Sequence, residues 1–210
     1  MNITIFGASG RTGQLLVRQA LDKGHKVTAY VRRAEAMNFQ HPGLRIITGT
    51  LDNPEKLIES MRGADVCLSA LGGSSLTKHA VEIVAGMERI IQLMEQEGVR
   101  RLIYLSSIGA GESRYYMPQP IRFLVADLLL RVPLADHNAN EKRIAGSSLQ
   151  WTVVRPGSLT DGPETGNLQH GSNKIAIKGN ARISRANVAS FMLEQTDHSE
   201  YINQAVWLLE

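Results

Sequence analysis

Apolar residues along this chain fall into short dense runs separated by longer amphipathic stretches. Residues 3–6, 26–31, 44–48, 65–71, 101–105 and 150–154 read as strands with near-continuous apolar cores, the pattern of strands covered on both faces. Between them, 12–23, the stretch from Pro54 to Met61 and 77–97 read as helices. The last carries apolar residues at 80, 81, 84, 87, 90, 91 and 94, which is helical spacing. Gly24, Gly63 and Gly98 stand where these helices should stop, and Pro54 suits a first helical turn.

Beyond residue 105 the alternation loosens. Ser106 and Ser107 end the fifth strand, 109–120 reads as a Gly/Tyr/Pro-rich loop, and 121–131 and 136–146 read as helical. After the sixth strand and Arg155-Pro156-Gly157, residues 158–172 read as loop and 174–177 as a short strand. Residues 184–195 read as a helix with Ser184 as N-cap, and 205–209 as a final strand. Strand alternating with helix predicts an α/β fold: a doubly wound parallel sheet (Rossmann fold) with a small C-terminal elaboration. Residues 1–210 are expected to form a single domain, 158–210 supplying the substrate-side elaboration.

The first strand runs directly into Gly7, Gly10 and Gly13, and a helix follows at once. The N–H groups of a helix N-terminus and its dipole favour an anion such as a pyrophosphate. Gly7 suits the turn, Gly10 a close approach of backbone to phosphate, and Gly13 close packing of helix on strand. Ser9, Arg11 and Thr12 belong to the same turn. The spacing is G-x-x-G-x-x-G, and a glycine-rich turn without a ligand would show the same triplet. The second strand after Gly24 completes a βαβ unit and favours the dinucleotide reading. Past that strand come Arg32 and Arg33, where an acidic residue would hold the ribose of NAD. A guanidinium suits a 2′-phosphate, so the expected cofactor is NADP(H); two solvated loop arginines are the alternative.

Composition narrows the classes. The chain has 210 residues, 43% hydrophobic and 20% charged, an ordinary globular balance. Its net charge of +3 is dispersed, which predicts no nucleic-acid partner. Arg122, Asp127 and Arg131 interrupt the longest apolar stretch, so no membrane span is expected. A single cysteine, Cys67, lies inside an apolar run; it reads as a core residue in a reducing, cytoplasmic compartment. With a strand already at residue 3, no signal peptide is expected ahead of it. The six histidines have no ligand-like spacing, and no metal is expected.

Ile5-Phe6-Gly7-Ala8-Ser9-Gly10-Arg11-Thr12-Gly13 resembles the atypical short-chain dehydrogenase/reductases with an NAD(P)-binding domain. So do Tyr30-Val31-Arg32, Ala70-Leu71-Gly72, Leu105-Ser106-Ser107, Trp151-Thr152-Val153-Val154-Arg155-Pro156-Gly157 and the run from Ile183 to Ala189. The branch most resembled is the NmrA-like and biliverdin reductase B/flavin reductase group. The resemblance implies that Leu71 and Gly72 border the adenine ribose, with Ala70 as a further cofactor contact, and that Thr50 and Leu51 flank the adenine. It places Pro156 and Gly157 by the nicotinamide, with Ser158 and Leu159 near its carboxamide. The family often has Gly-Asp where this chain has Gly49-Thr50.

The Tyr-x-x-x-Lys acid of the classical relatives is missing: Lys142 follows Asn138 by four positions and His137 by five. Ser107, Ser106, His137 and Lys142 remain as candidate catalytic or nicotinamide contacts, Ser106 and Lys142 also as cofactor contacts. The alternatives are strand-end capping by the serines and a surface position for His137, and Glu141, Lys142 and Arg143 read as a charged helix face. The expected function is an NADPH-dependent oxidoreductase passing hydride to a small conjugated acceptor such as a flavin or quinone, as a monomer or homodimer. The alternative is a non-catalytic NADP(H)-sensing regulator of NmrA-like type.

Overall fold

The computed structural model describes residues 1–37, 39–73, 75–174 and 181–210. The strands are β1 (Asn2–Phe6), β2 (Lys26–Val31), β3 (Leu44–Thr48), β4 (Val66–Ser69), β5 (Arg101–Leu105), β6 (Gln150–Pro156), β7 (Ser158–Thr160), β8 (Gln169–Gly171), β9 (Arg182–Ser184) and β10 (Gln204–Leu209). The α-helices are α1 (Arg11–Asp22), α2 (Pro54–Met61), α3 (Val81–Glu97), α4 (Gln119–Ile121), α5 (Arg131–Ala145) and α6 (Arg185–Glu194). The expected doubly wound sheet is present. Eight strands run in the order β3-β2-β1-β4-β5-β6-β10-β8, parallel except for the antiparallel edge strand β8. β7 and β9 form a separate parallel pair.

The pleat divides the core in two. Ile3 and Ile5 of β1, Val66 and Leu68 of β4, and Ile103 and Leu105 of β5 pack with Leu16, Val17, Val188 and Phe191 on the face covered by α1 and α6. Phe6, Cys67, Leu102 and Tyr104 point the other way, against Leu57, Met87, Ile90, Met94 and Ile144 of α2, α3 and α5. A strand buried on both faces therefore alternates between two apolar layers, and its sequence shows no polar face.

Several boundaries differ from the sequence reading. Residues 77–80 do not join α3: the Ser75 hydroxyl accepts from the Thr77 and Lys78 N–H groups in a local turn. The Asp136 carboxylate accepts from the Ala80 N–H at 2.7 Å, so a side chain of α5 caps the start of α3. The expected loop after β5 contains a 3₁₀ turn, Gly111–Tyr116, and the next segment is a π-helix, Arg122–Leu129, between α4 and α5. The expected 158–172 loop contains β7 and β8. The strand expected at 174–177 falls largely outside the described residues. Ser184 caps α6 by accepting from the Asn187 N–H.

β1 pairs with β2 on one side and β4 on the other, so the chain reverses its direction of winding between them. Open parallel sheets bind ligands outside the carboxyl ends of the strands at that point.

Candidate functional site

A cavity of about 290 Å³ opens there, lined among others by Gly10, Arg11, Thr12, Ala70, Leu71, Gly72, Ser106, Ser107, His137, Pro156, Gly157, Leu159 and Arg185. A larger hollow of about 480 Å³ lies at the amino ends of β1 and β2, beside Lys26, Gly43, Arg45 and Arg62. None of the expected chemistry lies in it, so its size does not make it the site.

Backbone builds one wall. Gly7 has φ +75°, and a Cβ there would lie 2.7 Å from the Ala70 carbonyl carbon. A Cβ on Gly13 would strike the Gly7 carbonyl oxygen, so helix and strand meet only because both side chains are absent. The Gly10 N–H donates to the Gly7 carbonyl at 3.0 Å and closes the turn. Gly10 is also the N-cap of α1: no side chain caps this end, and the first turn holds no acidic residue. Its amide groups therefore offer an anion site. Ser9 is exposed, with its carbonyl accepting from Gln14.

Other expected cofactor contacts lie outside the lined cavity. Arg32 and Arg33 are exposed beyond the end of β2. The Thr50 carbonyl accepts from the Tyr30 hydroxyl at 2.8 Å, and the Leu51 carbonyl accepts from Arg89 at 2.6 Å. The Thr50 side chain is the main influence that lowers the pKa of the Asp52 carboxyl from its ordinary value. Ser158 is exposed, and its N–H donates to the Ala181 carbonyl.

Side chains build the opposite wall. The Ser106 hydroxyl donates to Glu141 Oε1 at 2.5 Å. The same carboxylate takes Arg155 Nε at 3.1 Å on Oε1 and Nη2 at 2.6 Å on Oε2. Arg155 also binds Glu112 through Nη1 at 2.6 Å and Nη2 at 3.2 Å. Arg155 and Glu141 are buried, whereas Glu112 is exposed. Burial works against the guanidinium, but its bonds to the two carboxylates outweigh that and raise its pKa. Ser106 therefore faces the cavity with its proton committed to Glu141 and only lone pairs to offer. Ser107 spends its proton similarly, donating to the Ile108 carbonyl at 3.1 Å.

His137 is different. Asn140 Nδ2 donates to the Tyr104 hydroxyl at 3.0 Å, and that hydroxyl lies 2.8 Å from His137 Nδ1. The Tyr104 hydroxyl thus ties Asn140 to Nδ1 and holds the ring; in the tautomer where Tyr104 gives its proton to Nδ1, the imidazole N–H stands on Nε2. Burial lowers the His137 pKa, with Glu141 and Asp136 opposing more weakly, so the ring is neutral near pH 7. Burial also raises the Tyr104 pKa, so this phenol is no acid. Ser106 and Ser107 spend their protons within the protein, whereas His137 is held through Nδ1 alone among the described residues.

Two sequence expectations need correction. Lys142 is exposed and does not line the cavity. One residue along an α-helix is a rotation of about 100°; with Glu141 turned inward, Lys142 turns out. Glu141 is thus no part of a solvated face. The reading missed Glu141, Tyr104, Asn140, Asp161 and Arg185 as site residues. Arg155 offered a signal: a charge at the end of an apolar strand requires a buried partner. Among the described residues, no group of histidine, cysteine and carboxylate side chains could hold a metal ion. Among them, too, no helix is long and apolar enough to cross a membrane.

Comparison with known proteins agrees with this geometry. The model of a family described as NAD(P)H-binding matches residues 7–199. The chain belongs to that family. The expected nicotinamide dinucleotide cofactor is borne out. The uncharacterized protein YwnB of Bacillus subtilis is 27% identical, over 97% of this chain and 96% of its own. Among solved structures, ChuY, an anaerobillin reductase from Escherichia coli O157:H7, superposes with a TM-score of 0.83 at 24% identity, covering 100% of this chain and 97% of its own. A short-chain dehydrogenase/reductase from Veillonella parvula, solved in complex with NADP, gives 0.81 at 21% identity, covering 100% and 94%. At these identities the two structures speak to the fold.

Proposed function

We propose that the protein is an NADPH-dependent reductase that passes hydride to a conjugated acceptor such as a flavin or quinone. The observation that carries this reading is the neutral His137 at the cavity wall, anchored by Tyr104 through Nδ1, with Nε2 as the nitrogen left for an acceptor. Reduction of an isolated carbonyl needs a strong, well-placed acid, and neither a Tyr-x-x-x-Lys pair nor an acidic phenol stands here. A conjugated ring spreads the incoming charge, takes its proton from water, and needs mainly stacking in register over the nicotinamide. In the tautomer with its N–H on Nε2, His137 then stabilises the charge that develops on the acceptor. The residues present fit the cofactor: the uncapped α1 terminus suits the pyrophosphate, and Pro156, Gly157 and Leu159 border the nicotinamide end. Arg32 and Arg33, exposed where a 2′-phosphate would lie, support NADP over NAD, as does the NADP complex of the Veillonella parvula protein.

The test is steady-state turnover of NADPH with FMN, riboflavin and naphthoquinones. Tight NADPH binding with no turnover of any acceptor would overturn the reading.

A non-catalytic NADP(H) sensor draws on a different observation. Tyr115, Phe123, Leu124, Leu128 and Leu129 expose large apolar side chains in the 3₁₀ and π-helical segments between Ser107 and His137. A protein partner whose binding follows the NADP/NADPH ratio would favour this second reading.

A further inference from the structure

Arg185, the first residue of α6, lines the cavity with its side chain only 10% exposed. A buried cation is costly, and the positive end of a helix dipole makes it costlier. Its ion-pair partner among the described residues is Asp161, with Oδ1 at 2.5 Å from Arg185 Nη1. Asp161 is itself 67% exposed, and its carboxylate is shared: Arg11 Nη1 lies 3.2 Å from Oδ2. Two guanidiniums, one from α1 and one from α6, thus grip the two oxygens of one carboxylate. Their spacing already fits a single bidentate anion, and one positive charge is left over at the cavity wall.

We propose that Arg11 and Arg185 form a seat for an anionic group, phosphate or carboxylate, carried by the acceptor, and that Asp161 competes with that anion for both arginines. The proposal rests on the reductase reading and deepens it by naming the acceptor's charge. The cofactor's pyrophosphate is already served by the backbone amides of α1. Arg185 instead directly follows β9, which pairs with β7 just past Pro156 and Gly157, the residues read here as bordering the nicotinamide.

The test compares charged and uncharged forms of one ring system, FMN against riboflavin and a naphthoquinone sulfonate against its parent. Binding to the NADP⁺-loaded protein is followed by fluorescence at low ionic strength. The wild type should bind each charged form about tenfold more tightly than its neutral counterpart, a gap typical of one charge-assisted contact. Arg185→Gln should close that gap, and Asp161→Asn should widen it by freeing the arginines. Asp161 is exposed, so its variant tests the proposal even if Arg185→Gln fails to fold. A gap that survives Arg185→Gln, or that is absent from the wild type because neither form binds or both bind equally, overturns the seat. So does a loss of NADP⁺ affinity in Arg185→Gln with the gap unchanged, which would assign the arginines to the cofactor. Binding with the gap but without turnover would overturn the reductase reading and leave the seat standing. Turnover without the gap would do the reverse.

Discussion

The two walls of the cavity are made of different material. The wall from β1, α1 and β4 is backbone: glycines, an uncapped helix end and a turn closed by one main-chain hydrogen bond. The wall from β5, α5 and β6 is side chain: Ser106, Tyr104, His137, Asn140, Glu141 and Arg155, tied by hydrogen bonds and ion pairs. A backbone wall needs few residue identities and holds what every dinucleotide shares, its phosphates. A side-chain wall depends on many identities from distant parts of the chain and sets what the particular acceptor meets.

The contrast is broken most severely at Arg155. Arg155→Met would leave Glu141 buried without its cation and should cost about 4 kcal/mol in urea denaturation. A cost below about 1 kcal/mol would show that the ion network does not hold this wall together. The backbone wall should fail next, through sterics alone. Gly13→Ala drives a methyl group into the Gly7 carbonyl and should destabilise by about 3 kcal/mol. A normal stability would mean that α1 can slide away from β1 at little cost.

Arg32 tests the edge of the backbone wall, where a side chain takes over. Arg32→Ala should weaken NADPH binding by about 2 kcal/mol, roughly thirtyfold, and leave NADH binding nearly unchanged in titrations. Equal losses for both would show that Arg32 does not read the 2′-phosphate.

The smallest effect is in pH. Burial lowers the pKa of His137 from its ordinary 6.5. Above 6.5 the ring is neutral in both folded and unfolded chains and favours neither. As pH falls below that value the unfolded chain takes up its proton first, so stability is lost down to the folded pKa. His137→Gln should therefore lose less stability than the wild type between pH 7.5 and pH 5, measured by denaturant unfolding. Parallel pH profiles would mean that His137 is not held neutral.

The same division explains what could be read from the chain beforehand. The sheet was legible because each strand is apolar on both faces, and the glycine turn was legible because glycine spacing is itself the structure. The side-chain wall was not. Ser106, Ser107 and His137 stood out as residues, but which protons they hold depends on Tyr104, Asn140 and Glu141, fixed only once α5 packs on β5. Lys142 was selected by its distance from the serines, and helix phase turned it away. The start of α3 was misread because its cap comes from Asp136, far along the chain. The π-helical segment lies beyond any spacing rule that assumes a regular turn.

Cys67 has a consequence for measurement. It is fully buried in β4, between β1 and β5, and burial pushes its thiol pKa up. A thiol reagent can reach it only when the middle of the sheet opens, so its labelling rate reports how often the protein as a whole comes apart. A ligand that binds only the closed form slows that rate by mass action, about a hundredfold at ~100 times its dissociation constant. The unmodified chain thus carries its own indicator for ranking NADPH, NADH and candidate acceptors, including those it never reduces.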